Sequence, residues 1–427
     1  MKKIIAVLIA FSMMLVLVSC FAAGDMPAPG GETYEPIITT EKETEKETVE
    51  ETEAETEPPV VDTKKVIKFV AVGDALIHSA IYREAQTFAQ SKPGYSGDYY
   101  FNSMYEHIAD EIKAADIAFV NHEAPIAKTY ISGYPNFNAP SESGDALVEL
   151  GFNVVNIANN HMFDSDGRTT GYADTIDYWK TKKVLQIGGY ESQADYDNIR
   201  IMNVDGVNIA FLAYTFGANS GTYMNSASVN AGYVTPYIKD ATLIRHIEAA
   251  KEKADLVFVS VHWGNENVFQ PSAEQKRVAK LIADNGADVI IGHHSHTVQP
   301  VEWITGKNGN KTLCVYSLGN LISGMLSTKN MLGGLMTFDI VKEDGKISIE
   351  NPVFKPLMCH YDIADFSKKD PEGNPLRTGF KVYMLEDYTE ELAKKHGTQN
   401  YGKFTLSTLY GYAKDTISSE FLPDYLK

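Results

Sequence analysis

Residues 288–300 read DVIIGHHSHTVQP. A short apolar run, Val289 to Ile291, leads straight into His293, His294 and His296. An apolar run of that length and β-branched content reads as a buried strand. The imidazoles are then delivered at its carboxyl end. In extended chain, alternate side chains point to the same side. His294 and His296 are therefore expected as a ligand pair, with His293 facing the other way, behind the ligands or toward solvent.

The same arrangement recurs outward from this point. VIKFVAVGD delivers Asp74, and IAFVNHE delivers Asn121 and Glu123. VVNIANNHMFD delivers Asn159, Asn160, His161 and Asp164, and VFVSVHWGNE delivers His262 and Glu266. VYSLGN delivers Ser317 and Asn320. Between these strands lie helical patterns such as residues 104–116, 143–151, 171–183 and 273–286, so the order is α/β. Residues 198–214 read as a hairpin turned by Asp205-Gly206. KISIENPVF is a further strand. Past about Pro356, LEDYTEELAKKHG and KFTLSTLYGYAKDTI read as helices of a C-terminal extension.

In open α/β sheets, ligands bind beyond the carboxyl ends of strands. Side chains distant in sequence can therefore meet there. Carboxylates, imidazoles and an Asn carbonyl are donors for divalent manganese, iron or zinc. A two-ion centre, with ions roughly 3.5–4 Å apart, needs about the number of donors present, one of them a shared carboxylate. Each signal has a plain alternative when taken singly. Asp74 could be a helix N-cap, Asn159-Asn160-His161 a side-chain-capped turn, and His262 a satisfied core histidine. Six strand ends bearing compatible donors favour convergence.

The 427 residues carry a net charge of −18, which argues against nucleic acid as a partner. Much of that charge lies in residues 25–62, with 13 acidic and 2 basic side chains, where Glu-Thr repeats end in Pro-Pro. Such a segment cannot bury enough apolar surface to order itself, and it reads as a self-repelling tether. Before it stand Lys2, Lys3 and a long apolar run ending LVSC at Cys20. That is the pattern of an export signal, and its end resembles the bacterial lipobox, in which the cysteine is lipidated. An uncleaved membrane anchor is the alternative. Either way the body is expected outside the cytoplasmic membrane. Cys314 lies in a strand-like run and is expected as a core thiol. The expected divisions are residues 1–20, signal peptide; 21–62, tether; 63–356, the α/β body; and 357–427, extension.

VAVGDALIH, FVNHEAPI, GFNVVNIANNHMFDSDGRTTGYADTI, VSVHWGNE, GADVIIGHHSHTVQPVE and VYSLGNLI resemble, in order, the motifs of the bacterial capsule-synthesis CapA (poly-γ-glutamate synthesis) family. That family is similar to calcineurin-like metallophosphoesterases. The resemblance spans roughly Val66 to Ile322 and implies a four-layer α/β/β/α sandwich with two mixed sheets. It implies Asp74 and His296 at a first metal, Glu123 (or Asn121) as the bridge, and Asn160, His262 and His294 at a second. His161 would be the acid or charge-stabilising histidine, oriented by Asp164. The usual Asp-x-His start is absent, since Asp74-Ala75-Leu76 stands there. His78 could substitute only by a different backbone path. Asn159, Glu266, Ser317 and Asn320 are expected around the ligands or toward substrate.

Two roles follow from this reading. One is a cell-surface, metal-dependent hydrolase acting on a phosphoryl centre or an amide of an anionic capsule or envelope polymer, with Arg168 among the basic groups offsetting repulsion. The other is a non-catalytic polymer-binding or anchoring component of a membrane synthase complex.

Overall fold

The computed structural model describes residues 64–166, 170–219 and 226–427. Cys20, the signal and tether segments and Arg168 lie outside the described residues. The described residues belong to one compact unit.

Strands are numbered in chain order. The first sheet contains β1 (Lys65–Ala75), β2 (Ile117–His122), β3 (Val154–Asn156), β4 (Leu185–Ile187), β11 (Asn320–Ile322), β12 (Leu332–Glu343), β13 (Lys346–Lys369) and β14 (Pro375–Met384). The second contains β5 (Arg200–Val204), β6 (Val207–Thr215), β7 (Leu256–His262), β8 (Val289–His293), β9 (Val301–Thr305) and β10 (Lys311–Val315). The first sheet runs β14-β13-β12-β1-β2-β3-β4, with β11 beside the end of β1; the second runs β5-β6-β7-β8-β10-β9. Both are mixed. β1 to β4 pair parallel while β12, β13 and β14 are antiparallel; β6, β7, β8 and β10 are parallel between two antiparallel edges.

Period-2 alternation explains how the layers stack. Along β7, Leu256 and Phe258 join the core between the sheets, while Val257, Val259 and Val261 face the helices Asp240–Lys251 and Ala273–Asp284. Phe69 of β1 ties the two sheets together, with ring centroids 5.3 Å from Phe258 and 4.5 Å from Phe338. Helices Ser79–Ser91 and Gly171–Lys180 pack on β14 and β4. Phe69 is fully buried, so Phe69→Ala is expected to lower unfolding free energy by about 3–5 kcal/mol, read by urea denaturation of residues 63–427.

The Asp205-Gly206 turn forms as expected, both residues at positive φ (49° and 77°), as a type I′ turn requires. The expected division at 356/357 is corrected. It falls inside β13, which continues to Lys369 and pairs with β14. Only after Met384 does the extension become mainly helical, with helices Glu390–Lys395 and Leu406–Thr416. The reason is register: β13 pairs with β12 through Met358 and with β14 from Leu357 on, so its pairing runs unbroken past residue 356. Cys314 is a buried free thiol, as expected.

Candidate metal centre

β1 and β2 are parallel neighbours in one sheet and β7 and β8 in the other, and the approaches of His293 to Asp74 and of His262 to Glu123 bring their carboxyl ends together. Two glycines allow the close approach there. A Cβ on Gly73 would lie 1.9 Å from the Gly319 carbonyl oxygen, and one on Gly292 would lie 2.0 Å from that of Tyr316.

Asp74 is fully buried. Asn121 Nδ2 donates to its Oδ1 at 2.7 Å, and the His294 amide donates to its Oδ2 at 3.3 Å. His293 Nδ1 lies 3.4 Å and His296 Nδ1 3.3 Å from this carboxylate. Burial works to raise the Asp74 pKa, but these two imidazoles hold it well below the usual carboxylate range. Asn121 is thereby a positioning group. Its own Oδ1 accepts from Asn156 Nδ2 at 2.8 Å, so its amide cannot turn.

Glu123, not Asn121, occupies the shared position. One Oε1 lies 3.4 Å from His262 Nε2 and 3.7 Å from His296 Nε2. Both Glu123 oxygens are buried without a hydrogen-bond partner among the described residues. Burial, then the charges of Asp74 and Glu266, push its pKa well above the ordinary value.

Asn160 Oδ1 faces His262 Nε2 at 2.8 Å. Burial and the neighbouring His294 hold His262 well below its usual pKa, and burial takes His294 down to about 3. Both rings are therefore neutral at neutral pH, the form that binds metal. Burial disfavours charge on His296 as well, but Asp74 raises its pKa above the ordinary value. Asn320 fixes that ring. Its Nδ2 donates to the Asn330 carbonyl at 2.9 Å, which turns Oδ1 to His296 Nδ1 at 3.0 Å. Once the ring gives up its second proton, donation from Nδ1 would leave Nε2 free to act as a ligand on the Glu123 side.

Two donor groups result, Asp74–Glu123–His296 and Glu123–His262–His294, each with ligand atoms within 4.8 Å of one another and with Glu123 in common. The orphaned Glu123 oxygens and the neutral imidazoles fit divalent cations. The extended-chain reading of His294 and His296 is corrected. Both sit at positive φ, 90° and 52°, and a tight turn rather than a strand brings them together. His293 does not face solvent: it is buried at the end of β8, stacked at 5.6 Å on Phe119.

His161 Nδ1 lies 2.6 Å from Asp164 Oδ2, and the Phe137 ring stands edge-on to it at 4.7 Å. Asn159 holds the turn, accepting from the His161 amide at 3.0 Å. The structure adds Asn219, four residues past β6. Asn160 Nδ2 donates to Asn219 Oδ1 at 3.1 Å, and Asn219 Nδ2 reaches Asp164 Oδ1 at 3.4 Å and His161 Nδ1 at 3.0 Å. A single proton on His161 Nδ1 goes to the closer Asp164, so the Asn219 amide serves Asp164. The same strand-end rule that found the other donors applies after β6, but its GAN sequence carries no such signal.

His78 joins neither donor group. Its Nδ1 accepts from the Gly324 amide at 3.1 Å, and burial lowers its pKa to about 4. Ser317 Oγ accepts from the Gly319 amide at 3.1 Å and shapes the turn leading to Asn320. Glu266 is exposed, yet its carboxylate groups with His294 and His296.

Residues 68–325, more than half of the chain, match the family described as bacterial capsule synthesis protein PGA_cap. The chain is similar to the capsule biosynthesis protein CapA of Bacillus anthracis, 34% identical over 248 residues, covering 55% of this chain and 57% of that protein. It is also similar to the PGA biosynthesis protein CapA of Bacillus subtilis (strain 168), 30% identical over 248 residues, covering 56% and 62%. It thus spans less than two thirds of the length of either relative. Among solved structures it is similar to a novel phosphatase from Mycoplasma pneumoniae (TM-score 0.40, 14% identity, 69% of this chain and 95% of that one). A calcineurin-like phosphoesterase, YfkN, from Bacillus subtilis gives a TM-score of 0.38 at 12% identity, over 69% and 91%. The ordered motifs from β1 to β11 and the matched span agree: the chain belongs to the bacterial capsule synthesis protein PGA_cap family.

Proposed function

We propose that this chain is an extracytoplasmic, metal-dependent hydrolase acting on an anionic capsule or cell-envelope polymer. The observation that carries the reading is Glu123, a fully buried carboxylate with no hydrogen-bond partner among the described residues, set between two histidines from different strands' ends. Without a cation, such a group is costly to bury. Asp74, Glu123 and His296 would hold one ion, and Glu123, Asn160, His262 and His294 the other. The oxygen and imidazole donors suit manganese, iron or zinc. When bound, such ions supply Lewis-acid activation of water and of a substrate oxygen near neutral pH.

The chain's own contribution is positioning and proton transfer. Asp164 fixes the His161 tautomer with Nδ1 protonated, so Nε2 is the nitrogen left to exchange a proton with a leaving group. Asn219 joins that pair to Asn160, coupling the acid to a proposed ligand. Asn219→Ala is expected to cost roughly 10–100-fold in activity or metal affinity, as outer partners of metal sites typically do, measured by calorimetric titration with manganese.

The anchored arrangement rests on the lipobox-like LVSC, with Cys20 lipidated and residues 21–62 as tether. Among the described residues, no helix is long and apolar enough to cross a membrane. The test of function is turnover. The purified body, residues 63–427, should hydrolyse a model phosphodiester or a γ-glutamyl amide in added manganese. Metal and polymer binding with no product from either would replace this reading by the second, a polymer-binding component of a membrane synthase complex. The relatives' names describe capsule and PGA biosynthesis, which is compatible with either role.

A further inference from the structure

We propose that Glu266 is a displaceable ligand that covers the solvent side of the metal centre and must give way to an oxyanion of the incoming substrate. This rests on the metal-centre reading above and adds a residue and a step to it.

The proposed ligands of both ions are buried. Glu266 is the exception, an exposed residue whose carboxylate oxygen lies within 4.8 Å of ligand nitrogens on His294 and His296. His294 belongs to one donor group and His296 to the other, so Glu266 reaches one member of each. A carboxylate in that position stands where a substrate oxygen would approach.

The backbone aims it there. Gly264 turns the chain at φ 91°, and Asn267 turns it again at φ 62°. Before Glu266, Trp263 Nε1 donates to the Tyr316 carbonyl at 2.9 Å. After it, the Asn267 amide donates to the Ser295 carbonyl at 2.7 Å. Asn330 Nδ2 then clamps both sides of the gap, donating to Asn267 Oδ1 at 2.7 Å and to the His296 carbonyl at 2.9 Å. Lys329 Nζ adds a bond to the Asn267 carbonyl at 2.7 Å. Glu266 is thus pinned to the same turn that carries His294 and His296, rather than waving on a free loop. A carboxylate held there favours the cations and competes with any second anion.

The experiment uses residues 63–427 with manganese and inorganic phosphate as probes, both followed by calorimetry, phosphate at saturating manganese. Glu266 is exposed, so Glu266→Gln should fold; its melting curve checks this. The variant should bind manganese about 10-fold more weakly or worse, no less than an outer partner typically carries, and should bind phosphate several-fold more tightly. Glu266→Asp keeps the charge but shortens the reach, and should behave like Glu266→Gln. Both affinities must move in opposite directions. A change in one alone, in neither, or a Glu266→Asp variant matching wild type overturns the proposal while leaving the metal centre intact. Wild type that binds no manganese, zinc or iron removes the metal reading itself, and this proposal with it.

Discussion

A His161→Ala variant is expected to keep its divalent ions and lose about 10²- to 10⁴-fold in turnover, the usual contribution of a positioned general acid. The separation of the two effects follows from geometry. His161 belongs to neither donor group. Its Nδ1 is engaged by Asp164 at 2.6 Å rather than by a proposed ligand. Metal content measured by elemental analysis should therefore match wild type. Asp164→Asn should move activity the same way, because an amide at that position can donate to Nδ1 and select the other tautomer. It should also cost some stability or local order, since Asp164 Oδ2 accepts from the Phe137 amide at 2.9 Å. Unchanged turnover in His161→Ala on both phosphodiester and γ-glutamyl substrates would remove this residue from the chemistry.

Replacing Glu123 should act at the opposite point, on the ions themselves. Glu123 is the residue common to both donor groups, so Glu123→Ala is expected to abolish high-affinity binding at both positions. Glu123→Gln separates charge from shape: it fills the same space and still offers one oxygen, but removes the anion both cations share. The pH dependence has a definite sign. In the metal-free protein, burial and then Asp74 keep Glu123 protonated to higher pH than an ordinary glutamate. Burial opposes charge on His296, but Asp74 more than offsets it and keeps the proton above the ordinary histidine range. Bound cations need both groups deprotonated. Manganese binding should therefore release protons and weaken as pH falls toward and below neutrality. Calorimetry in buffers of different ionisation enthalpy would count those protons, and binding that strengthens on acidification would contradict the assignment.

Much of this centre is legible residue by residue because parallel strands deliver their last side chains to one edge, whatever lies between them in the chain. Asp74, Glu123, His262 and His294 each follow an apolar run, and that pattern needs no knowledge of packing. The hairpin at Asp205-Gly206 is legible for a similar local reason, since both residues tolerate positive φ. The charge pattern of residues 25–62 and the signal-like start are likewise local.

Other features depend on contacts that no local pattern encodes. His294 and His296 converge through two positive-φ residues in a turn tied to Asn267 and Asn330, not through strand alternation. Asn121 and Asn320 look like further donors, yet their amides are committed to Asp74 and His296 by Asn156 and Asn330. Asn219 enters the site only because its loop folds back onto Asn160. The extension beyond residue 356 reads as separate because its apolar pattern weakens, but β13 gains its hydrogen bonds from β12 and β14 regardless of pattern. Composition and strand periodicity thus determined the fold class, the donor types and the edge where they gather. Tertiary structure alone decided which donors face one another, because side-chain orientation is set by hydrogen-bond partners drawn from distant segments.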